Sequence, residues 1–156
     1  MPFRLDNKAH VALTAAVTAM VLLTLNTLTD FWKPKALYST VTGYALVATL
    51  VLMWILPAAN ARASSQVSWI KSWHEWGGIA LLSIFCLHAA AFKHNLLLWL
   101  SVLILAESIV GALPPRLLLR HSEGYVRVWW FLHVVIGCAI TCLALIHIYA
   151  VYAYTG

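Results

Sequence analysis

Residues 128–152 read Val128-Trp-Trp-Phe-Leu-His133-Val-Val-Ile-Gly137-Cys-Ala-Ile-Thr-Cys-Leu-Ala-Leu-Ile-His147-Ile-Tyr-Ala-Val-Tyr152, without one Asp, Glu, Lys or Arg. A helix needs about 20 apolar residues to cross the hydrocarbon layer of a bilayer, and there every backbone polar group must be satisfied within the segment. The stretch is therefore predicted to be a membrane-spanning helix. Four more apolar runs precede it, at 11–28, 37–56, 73–92 and 95–113. The first ends without a small-x-small cleavage site and is expected to be a retained helix rather than a signal peptide. The second is expected to stop at Pro57, and the small-residue stretch 58–68 to be a loop.

The whole chain carries the same signature. Of its 156 residues 63% are hydrophobic and 10% charged, with a mean hydropathy of +0.86. A soluble globule of this size would leave most of that apolar surface in water. The expected fold is all-α: a polytopic helical membrane bundle of about five transmembrane helices, one domain over residues 1–156. No length remains for a soluble catalytic domain, so any flavin or nicotinamide chemistry is expected to come from a partner. The formal net charge of +5 comes from ten Lys and Arg scattered between the apolar runs. That pattern sets orientation in a membrane rather than a nucleic-acid surface.

With five spans, Arg4, Lys8, Arg62, Lys71, Arg116, Arg120 and Arg127 fall on the side of the N-terminus, and Lys33, Lys35 and Lys93 on the other. The excess predicts a cytoplasmic N-terminus and a periplasmic C-terminus in a bacterial inner membrane. Cys86, Cys138 and Cys142 all lie within apolar runs and imply no disulfide framework.

Four of the seven histidines form two equal pairs. His74 and His88 lie fourteen positions apart in the third span, and His133 and His147 fourteen apart in the fifth. At 100° and 1.5 Å per residue, fourteen residues return a side chain to within roughly 40° of the same face, about 21 Å further along the axis. One antiparallel span separates the two helices, so they run in the same direction. His74 then comes level with His133, and His88 with His147. A lone histidine near a span end is usually an interfacial or internally hydrogen-bonded residue. Equal spacing on aligned helices points instead to two stacked inter-helix pairs.

Iron in a six-coordinate b-type haem takes one axial nitrogen from each side. Two histidine pairs therefore predict two b haems between helices 3 and 5, with His74, His88, His133 and His147 as the iron ligands. Both helices repeat the pattern H-x3-G-x9-H. Gly78 and Gly137 are thus candidates for cofactor binding, reducing bulk where a flat macrocycle approaches. By helical angle Leu81, Phe85, Ile140 and Ala144 fall on the haem-facing side. Arg116 and Arg120, together with Arg62, Lys71 and Arg127, are candidates for pairing the propionates of the cytoplasmic haem, since guanidinium groups grip carboxylates bidentately. His10, His94 and His121 read as interface residues, Met20 and Met53 as minor alternative axial ligands. Glu107, twelve residues into the fourth span, fits three roles: snorkelling, pairing a haem-side group, or moving protons near a quinol site.

Thr42-Gly43-Tyr44 opening an apolar helix, followed by His74-x3-Gly78-x9-His88 and then His133-x3-Gly137-x9-His147, resembles the ferric reductase-like transmembrane cytochromes. That family includes the membrane parts of NADPH oxidases and ferric reductases and the haem subunit of bacterial methionine sulfoxide reductase systems. The resemblance covers about residues 37–152. It implies two b haems carrying electrons between a cytoplasmic donor and an acceptor at the outer face. Family members commonly have six helices, the last often leading into a flavin domain, whereas five are read here.

Three functions remain open from the sequence. The first is a transmembrane dihaem cytochrome b acting as the electron-transfer subunit of an oxidoreductase, fed by a cytoplasmic flavoprotein and serving an acceptor protein or small molecule outside. The second is a quinol-oxidising cytochrome b. The third is a haem-free membrane scaffold or assembly subunit whose histidines bridge helices.

Overall fold

The computed structural model describes residues 7–29, 36–62, 68–89, 95–113 and 123–155. Among them are five helices: α1 (Asn7–Thr29), α2 (Ala36–Arg62), α3 (Ser68–Ala89), α4 (Leu96–Ala112) and α5 (Glu123–Thr155). Three are long and apolar enough to cross a membrane, over Asn7–Thr29, Leu37–Ala59 and Glu123–Tyr154. The architecture is thus compatible with a helical membrane bundle. α4 is apolar but has 17 residues, slightly under the span length. α3 has 22 residues, and its hydropathy is lowered by Lys71, His74, Glu75 and His88.

α2 continues through Pro57 to Arg62 rather than stopping where proline was expected to end it. Proline removes one backbone donor and crowds the carbonyl four residues earlier. Here it lies at the end of the apolar run, and the alanines at 58, 59 and 61 restore helix propensity immediately after it. α1 and α5 also extend beyond their apolar runs at both ends and α3 at its start, while α4 stays within its run.

α1 buries Ala9, Ala16, Ala19, Leu23 and Asn26, one stripe at helical spacing in which small residues allow close approach. That stripe packs on α3 and α4; α2 packs on α3, and α4 on both α3 and α5. The core joins Ala16, Ala19 and Leu23 to Leu82 and Phe85 of α3, Leu100, Ile104 and Leu105 of α4, and Ile140 of α5. α3 and α5 are not among the closely packed helix pairs. Side chains bridge α2 to α5 instead, Trp54 Nε1 donating to Thr141 Oγ1 at 2.9 Å and the Tyr44 and Tyr152 hydroxyls meeting at 2.7 Å. α2 and α4 thus flank the space that separates α3 from α5.

The outer faces are apolar. Leu28 and Leu37 are 79% and 77% exposed, and Trp99, Leu145 and Val17 also face outward. Such surface is stable against lipid and not against water. The hydroxyls on these helices donate to the carbonyl one turn back, as Thr24 does to Met20 (2.7 Å) and Ser108 to Ile104 (2.8 Å), and so need no partner in the lipid. Cys138 and Cys142 are also exposed, while Cys86 packs beside the core; all three are free thiols.

At one end, Lys8 of α1 bonds Glu75 Oε2 at 2.7 Å and Ser72 Oγ at 3.0 Å, and its ammonium stands 6.0 Å from the Trp76 ring centre. This fastens the first turns of α1 and α3 together, next to His74.

Leu82 is 2% exposed at the centre of the core. Between a membrane-folded and a membrane-unfolded state the water-transfer gain is absent, but lost packing and the residual cavity remain. Leu82→Ala is expected to cost about 1–2 kcal/mol on that basis, and Leu28→Ala close to nothing, in a denaturant titration of the detergent-solubilised chain.

Candidate functional site

The four candidate ligands meet in two levels. Near the starts of α3 and α5 the His74 and His133 ring centres are 6.0 Å apart with planes at 81°. Near the ends of the same helices the His88 and His147 centres are 6.5 Å apart at 74°. First with first and last with last means that α3 and α5 run in the same direction. Both pairs span the space between two helices that do not pack closely on each other.

At the first level the His133 ring is held from several sides. Trp129, one turn earlier on α5, stacks on it with centres 5.2 Å apart and planes 9° from parallel. The Trp129 indole N–H donates to the Val110 carbonyl at 2.8 Å, and the Tyr125 hydroxyl reaches the Leu113 carbonyl at 3.4 Å. α5 side chains thereby satisfy carbonyls at the open end of α4 and set the height of that helix against His133. From α4, Glu107 places Oε1 2.8 Å from His133 Nδ1. The two atoms are at hydrogen-bond distance but not aligned as a hydrogen bond. His133 Nδ1, Glu107 Oε2 and His74 Nδ1 are therefore buried without a hydrogen-bond partner.

The second level is built differently. His88 Nδ1 lies 3.1 Å from the Ser39 carbonyl and 3.1 Å from Thr42 Oγ1, both on α2. The Thr42 hydroxyl donates to the Tyr38 carbonyl at 2.8 Å, and a carbonyl can only accept, so Nδ1 of His88 carries the proton. Nε2 is left with its lone pair directed away from α2. A metal-ligating histidine normally has this support, its other nitrogen donating to a carbonyl or carboxylate. Gly43 makes the approach possible, because a Cβ there would come within 3.3 Å of His88 Cε1.

Of the two glycines in the repeated pattern, Gly78 faces open space, with nothing within 4 Å of where a Cβ would stand. Gly137 is approached by Glu107 Oε1 and Trp54 Cζ2, each 3.8 Å from that point. Phe85 and Ile140 are both buried in the core, while Leu81 and Ala144 are half-buried. Met53 lies against Gly77 of α3, and Met20 is exposed on α1. Arg116, Arg120, His94 and His121 lie outside the described residues, as does the side chain of Arg62. Lys71 and His10 are exposed. Arg127 is also exposed and stands 3.7 Å from Glu123 one turn earlier on its own helix.

Sequence reading did not find the support that Ser39, Thr42 and Gly43 give His88, or the stacking of Trp129. The Thr-Gly pair at an apolar helix start was visible, but its partner lies 46 residues away. Trp129 stands one turn before His133 near the start of an apolar run, where a tryptophan by itself signals only the membrane interface.

Among the described residues no group of three or more His, Cys, Asp or Glu side chains is placed to hold a metal ion. Each level instead brings two imidazoles together edge to face, one from α3 and one from α5. Comparison with protein-family models, with curated proteins and with solved structures finds no match for this chain.

Histidine 15N spectra of the cofactor-free chain test the second level directly. His88 is expected as the Nδ1–H tautomer alone. Thr42→Val should preserve that tautomer through Ser39, whereas Gly43→Val should displace the ring and give a mixture; a pure Nε2–H signal from His88 in the unmodified chain contradicts the assignment.

Proposed function

We propose that the chain is a transmembrane dihaem b-type cytochrome, the membrane subunit of an oxidoreductase system that passes electrons from one face of the bilayer to the other. One observation carries the reading: two histidine pairs face each other across separated helices at ring-centre distances of 6.0 and 6.5 Å. An imidazole nitrogen bonds a first-row metal at about 2.0 Å and lies about 1.1 Å from its own ring centre, so two imidazoles on opposite sides of one iron have centres about 6 Å apart.

The surrounding residues fit the group. The open space beside Gly78 suits the flat macrocycle at the His74 level. His88 has one nitrogen committed to α2 and the other free. Bound haem supplies one-electron oxidation and reduction of iron.

The chain's own contribution is position and environment. His74 and His133 hold one group near one membrane surface, His88 and His147 hold the other about 21 Å further along the helices. Phe85 and Ile140 close the interior between the levels to water. Wherever the bilayer lies around these helices, the charge asymmetry favours a cytoplasmic first level and an outward second level. The donor is then a cytoplasmic flavoprotein or a membrane quinol, and the acceptor a protein or small molecule at the outer face.

The full chain, expressed with ample haem and purified, is expected to show a Soret band and a reduced α-band with about two haems per chain. His74→Ala and His133→Ala should each lose the same haem, and His88→Ala and His147→Ala the other, because one imidazole cannot maintain six-coordinate ligation. His10→Ala should keep both. Absence of the Soret band from the unmodified chain would leave a haem-free membrane scaffold as the reading.

A further inference from the structure

Glu107 is a carboxylate on an apolar helix, in a place where an ionisable side chain is costly and rarely without a task. It reaches toward α5. Its side chain is 18% exposed, Oε1 is 2.8 Å from His133 Nδ1, and Oε2 is buried without a hydrogen bond. The 2.8 Å separation is that of a charge-assisted hydrogen bond. A carboxylate turns about its terminal bond at little cost, so alignment with the N–H is within reach. Trp129, stacked on the same ring, restricts the imidazole while it does so.

Among the described residues no carboxylate stands beside His88 Nδ1. His88 Nδ1 is held by a neutral carbonyl and a neutral hydroxyl. The groups beside Nδ1 of His133 and of His88 therefore differ: a carboxylate oxygen at the first, a backbone carbonyl and a hydroxyl at the second.

We propose that Glu107 is a positioning residue that accepts the His133 Nδ1 proton in a hydrogen bond and thereby holds the iron at the His74/His133 level at a lower midpoint potential than the iron at the His88/His147 level. This rests on the haem reading of the same histidines. A carboxylate on the distal nitrogen makes the imidazole a stronger donor and places a negative charge near the iron; both favour iron(III) over iron(II). A neutral acceptor does this more weakly. Electron passage from the first level to the second is then downhill. One electron is lost where iron(II) becomes iron(III) at His74/His133 and gained where iron(III) becomes iron(II) at His88/His147, with no bond broken and no proton transferred. Direction is thus built into the chain by a residue that binds neither iron.

The experiment is a spectroelectrochemical titration of the haem-loaded full chain, in the unmodified form and as Glu107→Gln and Glu107→Asp. Two one-electron components are expected. His133→Ala should remove the lower one and His147→Ala the upper one. Glu107→Gln should shift the lower component alone upward by at least tenfold in its reduction equilibrium, about 59 mV for one electron. Glu107→Asp should restore part of that shift, and the low-spin electron paramagnetic resonance signal of the lower component should move with it.

Retention of both haems with an unmoved lower component in Glu107→Gln overturns the proposal, as does an equal shift of both components. Should Glu107→Gln fail to fold, the assignment still decides: loss of the upper component in His133→Ala reverses the order and overturns it. An unmodified chain without any haem band is a different result, the failure of the haem reading itself.

Discussion

The arrangement depends on two helices that meet through side chains without close backbone packing. α3 and α5 present histidines to one another at two heights, and α2 and α4 stand on either side as spacers. Each spacer also carries groups that hold one imidazole. α2 brings Ser39, Thr42 and Gly43 to His88. α4 brings Glu107 to His133 and is itself held at Val110 by Trp129. α1 takes no part in either level; it packs its small-residue stripe against α3 and α4 and completes the core. Separation and support therefore have one origin, because the helices that stand beside α3 and α5 are those that hold their histidines.

Much of this framework was legible in the sequence. The helices follow from apolar runs too long for anything else in a bilayer, and the level-by-level meeting of His74 with His133 and His88 with His147 follows from a fourteen-residue repeat on helices of like direction. Local chemistry at the helix ends was less legible. Pro57 reads as a stop in any sequence, yet helix propensity just beyond it outweighs one missing donor. Contacts made through the third dimension were not legible at all. Nothing at Gly43 signals that His88 will lie against it, and Glu107 alone cannot say whether it reaches for water or for an imidazole. Composition of a single helix leaves such choices open; the rotation of its neighbours decides them.

The two glycines of the repeated histidine pattern illustrate the same limit. Identical spacing suggests identical tasks. Gly78 does face open space, but Gly137 sits opposite Glu107 and Trp54. A sequence repeat fixes helical angle and height, and the neighbouring helix at that angle differs between the two cases. The levels are accordingly alike in their histidines and unlike in their surroundings.

The polarity of α3 bears on how the chain is made. A charged residue near the middle of a helix adds about 2.5–3.5 kcal/mol to the free energy of its insertion, less toward the ends. Lys71, Glu75 and two histidines therefore leave α3 a poor candidate for leaving the translocon by itself. Its partners remove the difficulty: Lys8 neutralises Glu75 from α1, and Ser39 and Thr42 of α2 receive His88. Both precede α3 in the chain and are long and apolar enough to cross a membrane, so they can be in the bilayer before it emerges. Biogenesis is in this sense ordered by the sequence itself, with the helix that bears His74 and His88 admitted to the lipid as a companion to the two made before it.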